Sequence, residues 1–109
     1  MKCLFIAFTV IICISGCMDS MTVAPKISSL GNVNNVLQLE QGRNIYITSC
    51  SRCHNALRIT KFTQHQWNEL LPEMIEESNL GSSDSAAVEV YIKQVLHAAA
   101  ASTQTNNRE

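Results

Sequence analysis

The chain has 109 residues, a formal net charge of −1, 46% hydrophobic residues and 6% aromatic residues. At roughly 100–200 residues per domain this is a single domain, which excludes a multidomain enzyme. The slightly acidic balance provides no basic footprint for nucleic acid.

The apolar residues are unevenly placed. Lys2 opens the chain, an apolar run extends from Cys3 to Ile14, and Ser15 and Gly16 follow. About 20 apolar residues are needed to cross a bilayer. A shorter run ending in small residues reads instead as a secretory signal over 1–16. The ending Ile14-Ser15-Gly16-Cys17 resembles the bacterial lipobox. That resemblance implies cleavage before Cys17, a diacylglycerol on its thiol, and a protein held on the periplasmic face of a membrane. Met18, where aspartate is absent, resembles the outer-membrane sorting pattern. A plain signal followed by an unmodified cysteine is the alternative.

Residues 17–32 follow as the lipidated cysteine and a tether. They are polar and small, with Pro25, Ser28, Ser29, Gly31 and Asn32 and no helical or strand period. Such a linker spans about 20 Å on average and about 50 Å extended.

The folded part is expected at 33–100. A domain that small buries only about 60% of its unfolded surface, so it calls for a staple such as a disulfide, a metal or an inserted cofactor. Val33, Val36, Leu37, Ile45 and Tyr46 suggest an amphipathic helix over 34–49. Gly42 inside it costs about 1 kcal/mol against alanine, which close approach of another helix would explain.

Next comes Cys50-Ser51-Arg52-Cys53-His54. Cys-x-x-Cys-His is the attachment signature for c-type haem. Two thiols three residues apart can each form a thioether to one haem vinyl group, and the adjacent imidazole supplies the proximal iron ligand. Two rival readings use the same residues. One is a thioredoxin-like dithiol, which belongs in a βαβ pattern that is not seen here. The other is a zinc-stapled interaction domain, with Cys50, Cys53, His54 and His65 as ligands.

A further helix is expected over 64–79. Thr63 and Gln66 form a capping box, and Trp67, Leu70, Leu71, Met74 and Ile75 make one apolar stripe. Pro72 interrupts it and predicts a kink, or a break at Leu71. Glu69, Glu73, Glu76 and Glu77 form an acidic face that is ordinarily solvated and could dock a basic partner. The last helix is expected over 84–100, with Val88, Tyr91, Ile92, Val95, Leu96 and Ala99 on its buried face. Ser82, Ser83 and Asp84 offer N-caps. Residues 101–109 read as a disordered polar tail.

The pattern Gly42, Tyr46, Cys50, Cys53 and His54, followed by Tyr91-Ile92 in the last helix, resembles the small monohaem class I-like cytochromes c. The resemblance covers about 40–97. It implies an all-α, compact three- to four-helix domain around one covalently bound haem c. It also implies that the glycine and aromatic of the first helix cross the aromatic-aliphatic pair of the last. In that family the sixth iron position is usually a methionine. Met74 is the candidate in the folded part, since Met18 and Met21 fall in the tether. A methionine on such an apolar stripe is more commonly core; with a haem present and no competing methionine, Met74 reads as the ligand. His65 and His97 are the other possible ligands.

The expected function is electron transfer by a lipid-anchored cytochrome c, cycling Fe(II)/Fe(III) in the periplasm. Redox proteins and the membrane are its partners, with no small-molecule substrate and no enzymatic activity of its own. If Met74 is only core, the alternative is a five-coordinate haem that binds or senses a small gas. One of Arg52, Arg58 and Lys61 could pair with a haem propionate.

Overall fold

The computed structural model describes residues 23–108. The expected signal at 1–16 and the lipid site at Cys17 lie outside the described residues. Three α-helices and three short 3₁₀ turns make up the regular structure described, with no strand among these residues. The all-α expectation with three helices is met.

Helix α1 spans Val36–Thr48. Its buried face is Leu39, Gly42, Ile45 and Tyr46, the i, i+3, i+6, i+7 spacing of one helical stripe. Val36 and Leu37 were expected on that stripe, but they are 49% and 88% exposed. Leu37 lies two residues from Leu39, a rotation of about 200°, so it points to the opposite side.

Helix α2 spans Gln64–Glu77. The capping box forms as expected: the Gln66 amide donates to Thr63 Oγ1 and the Thr63 amide donates to Gln66 Oε1. The break at Leu71 does not occur, and α2 runs through Pro72. Pro72 and Asn68 are both exposed, so the Asn68 carbonyl that loses its partner lies on the wet side of the helix. Asn79, with φ of 52°, ends α2. The Leu80 amide donates to the Ile75 carbonyl and the Asn79 amide to the Glu76 carbonyl. This is a Schellman closure, built on a residue that tolerates the left-handed region.

Helix α3 spans Ser82–Asn106 and buries Ala87, Val88, Tyr91, Ile92 and Val95. Gly81 is its N-cap residue, so the expected caps at Ser82, Ser83 and Asp84 are not used. Asp84 instead sits in the first turn, where a carboxylate complements the helix dipole, and its Oδ1 accepts from Gln41 Nε2 at 2.8 Å. The expected tail at 101–109 is also corrected, because the helix continues to Asn106. The run Ala98–Ala101 has the highest helix propensity. Beyond it the hydroxyls of Ser102, Thr103 and Thr105 donate to carbonyls four residues back.

The tether is corrected as well. Ala24, Ile27 and Leu30 are buried in the core, with a 3₁₀ turn at Ile27–Ser29. Arg43 Nε donates to the Ala24 and Pro25 carbonyls at 3.1 and 3.2 Å. Tyr91 Oη donates to the Pro25 carbonyl at 2.8 Å. The spacing of three between apolar residues suits a 3₁₀ turn with one face inward, a period easily hidden among the surrounding serines.

Helix α1 crosses α3 at Gly42. A Cβ there would lie against the Ala87 carbonyl oxygen and 2.7 Å from both the Ala87 carbonyl carbon and the Tyr91 Cβ. The crossing therefore brings backbones closer than any side chain allows. Tyr46 and Tyr91 meet beside it with ring centroids 6.4 Å apart, and Trp67, Leu39, Ile59, Ile92 and Val88 are fully buried with Tyr91.

Candidate functional site

Helix α1 passes through Ser49 directly into a 3₁₀ turn at Cys50–Arg52. Ser51 Oγ donates to the Ile47 carbonyl and holds this turn on the end of the helix. Both thiols and the imidazole thus follow directly from the face that carries Tyr46. Cys50 is half-buried, while Cys53 and His54 are exposed.

A narrow cleft opens there, with a cavity of only about 10 Å³, lined by Tyr46, Cys50, His54, Ala56, Leu57, Trp67 and Met74. Three of the four predicted haem-site residues, Cys50, His54 and Met74, face the same space. Cys53 stands outside the lining, exposed to solvent. Neither His65 nor His97 lines the cleft. His65 projects from the first turn of α2 toward Glu69, 3.7 Å away, with 82% of its side chain exposed. His97 is exposed on α3.

The walls are held from outside the motif. Trp67 Nε1 donates to the Ile59 carbonyl at 2.8 Å, and the Tyr46 hydroxyl donates to the Leu57 carbonyl. The Trp67 ring packs edge-on against Tyr46 and Phe62, with centroids 6.2 and 5.4 Å away. The segment between the motif and α2 is therefore fixed by two aromatic side chains from different helices. Arg52 adds a third tie. Its Nε donates to the Ser49 carbonyl at 3.4 Å and its Nη2 to the Ser78 carbonyl at 3.3 Å. Ser78 in turn donates its amide to the Met74 carbonyl. The motif turn is thus linked to the end of the helix that carries Met74. Sequence reasoning offered Arg52 only as a propionate partner, because a contact spanning 26 residues leaves no local signal.

His54 Nδ1 lies 2.9 Å from the Asn55 carbonyl. A carbonyl can only accept, so Nδ1 carries the hydrogen in this contact; in the neutral ring that tautomer leaves the lone pair on Nε2, as a metal-ligating histidine requires. Burial pushes the Cys50 thiol above its ordinary value, with Arg52 opposing the shift. Burial also raises Tyr46, and the nearby Cys50 adds to it.

The donor types are those a c-type haem would use, with Cys50, His54 and Met74 on the cleft and Cys53 outside it. Two thiols flank one turn, an imidazole presents a free Nε2, and a thioether approaches from a separate helix within apolar walls. The cavity, about 10 Å³, is far below the 300–1,000 Å³ or so of ordinary ligand pockets, so a haem would have to part these walls on the solvent side, at the exposed His54. The zinc alternative fares less well, since no three His, Cys, Asp or Glu side chains gather into a metal-holding group among the described residues. Comparison with family models, curated proteins and solved structures finds no match to this chain.

Proposed function

We propose that this protein is an electron carrier, a lipid-anchored c-type cytochrome with one haem attached through Cys50 and Cys53. His54 and Met74 would hold its iron. The observation that carries this reading is the meeting of Cys50, His54 and Met74 in one apolar cleft, although His54 and Met74 lie twenty positions apart in the chain. The absence of His65 and His97 from that lining supports Met74 over either histidine.

When bound, the haem supplies a one-electron Fe(II)/Fe(III) couple. The chain's own residues attach, orient and shield it. The Asn55 carbonyl fixes the His54 ring through Nδ1. Trp67 and Tyr46, each bonded to a carbonyl of the 57–59 segment, wall the cleft against water. If His54 and Met74 both held the iron, they would leave it no open position for a substrate, and the partner would be another redox protein.

The test is expression of the full chain in a periplasm that carries haem-attachment machinery. The expected product has one haem that survives denaturation and is lost in Cys50→Ala, Cys53→Ala. Its reduced form binds CO slowly, and Met74→Ala makes binding fast. Absence of covalent haem overturns the proposal. Fast CO binding by the wild type would instead identify a five-coordinate, gas-binding haem.

A further inference from the structure

We infer that Ala24–Leu30 is a docked strap that shortens the tether and confines the domain to the bilayer surface, so that its redox partner is a protein of the same membrane. The inference rests on the proposed lipidation of Cys17.

The strap is built into the core from two sides. Ala24, Ile27 and Leu30 are 0%, 3% and 7% exposed, the burial of true core residues. From two different helices, the Arg43 guanidinium donates to the Ala24 and Pro25 carbonyls and the Tyr91 hydroxyl to the Pro25 carbonyl. Tyr91 is itself fully buried and packs against Tyr46, which lines the cleft. The strap and the candidate haem site are thus joined through one pair of tyrosines.

Docking changes the reach of the anchor. From Cys17 to Val23 there are six Cα steps, at most about 20 Å of chain. With the strap free, the leash would extend to Asn32 and reach about 50 Å. A leash of the shorter length keeps the domain beside the headgroups. A short tether raises the effective concentration of partners within its span and excludes those beyond it. Redox groups presented at the same surface are favoured, and carriers anchored across the periplasm are out of reach.

Two measurements test this, and they separate the strap from the anchor. In the exported Cys17→Ser protein, the Ser29 and Leu30 amides, which donate to the Lys26 and Ile27 carbonyls, should exchange hydrogen at least about tenfold more slowly than in an unfolded peptide. Unprotected amides would overturn the strap, whatever the state of Cys17. In the lipidated protein on vesicles, a dye on Ser83→Cys should transfer energy efficiently to headgroup acceptors. A Gly/Ser insertion between Thr22 and Val23, which leaves the docked contacts intact, should weaken that transfer. Transfer unchanged by the insertion would overturn the short leash. An unmodified Cys17 in the N-terminal peptide mass would overturn the anchored reading and the membrane part of this proposal with it.

Discussion

Gly42 sits against Tyr91 where α1 and α3 cross, with room for a hydrogen and for nothing larger: a Cβ would stand 2.7 Å from the Tyr91 Cβ. The obstruction includes backbone of Ala87, which cannot rotate away as a side-chain tip could. Gly42→Ala should therefore destabilise the domain. Overpacking costs about 1–3 kcal/mol, more than the roughly 1 kcal/mol that alanine gains in helix propensity. Urea denaturation should show a lower midpoint with an unchanged slope. A stabilised Gly42→Ala protein would mean that the helices do not cross this closely.

Trp67 joins three parts of the fold: it stacks edge-on with Tyr46 and Phe62 and donates to the Ile59 carbonyl. Trp67→Ala should cost about 3–5 kcal/mol, a large share of the total stability of any small domain. Trp67→Phe keeps a ring but leaves the Ile59 carbonyl without its donor, for a loss of about 1–3 kcal/mol. Calorimetry on both variants should rank them in that order.

Pro72 lies inside α2 yet is exposed, so the helix tolerates it without using it in the core. Pro72→Ala restores the bond to the Asn68 carbonyl and should stabilise the protein. The ceiling is about 3 kcal/mol, reduced by the greater freedom of the unfolded chain. A melting temperature that falls instead would show that the proline sets a bend on which the packing depends.

Burial pushes the hydroxyls of both Tyr46 and Tyr91 above their ordinary value. Their folded pKa values exceed the unfolded ones, so the neutral form is the one the fold retains. The stability they provide is complete below about pH 10, where unfolded tyrosines are still neutral. It declines as pH rises above that value, by up to about 1.4 kcal/mol per pH unit for each tyrosine. Urea midpoints should hold steady up to about pH 9 and then fall. Tyr91→Phe should start less stable, having lost the bond to Pro25, and fall less steeply.

Helix existence was legible wherever the apolar period was long: the stripes through Trp67 and Leu71 and through Val88, Tyr91, Ile92 and Val95 are buried as expected. The errors fall at ends and in short segments. Val36 and Leu37 look like core by hydropathy, but hydropathy does not say where a stripe meets its partner helix. Ile27 and Leu30 look like linker residues because two apolar side chains among serines carry no long period.

By itself the sequence determined which donor groups the chain carries and at what spacing. Two cysteines and a histidine at fixed spacing, a capping box, and two long amphipathic stripes are local facts, decided by residues within a few positions of one another. Tertiary structure alone decided which residues share a space. It brought Met74 to Cys50 and His54 and left His65 and His97 outside the cleft, tied Arg52 to the end of α2, and folded half of the expected tether into the core. The seat of Ala24–Leu30 depends on α1 and α3, which cross at Gly42 and supply Arg43 and Tyr91; the cleft depends on α2 packing Trp67 against Tyr46. A crossing is set by the closest approach of surfaces far apart in the chain, a quantity that no local spacing records.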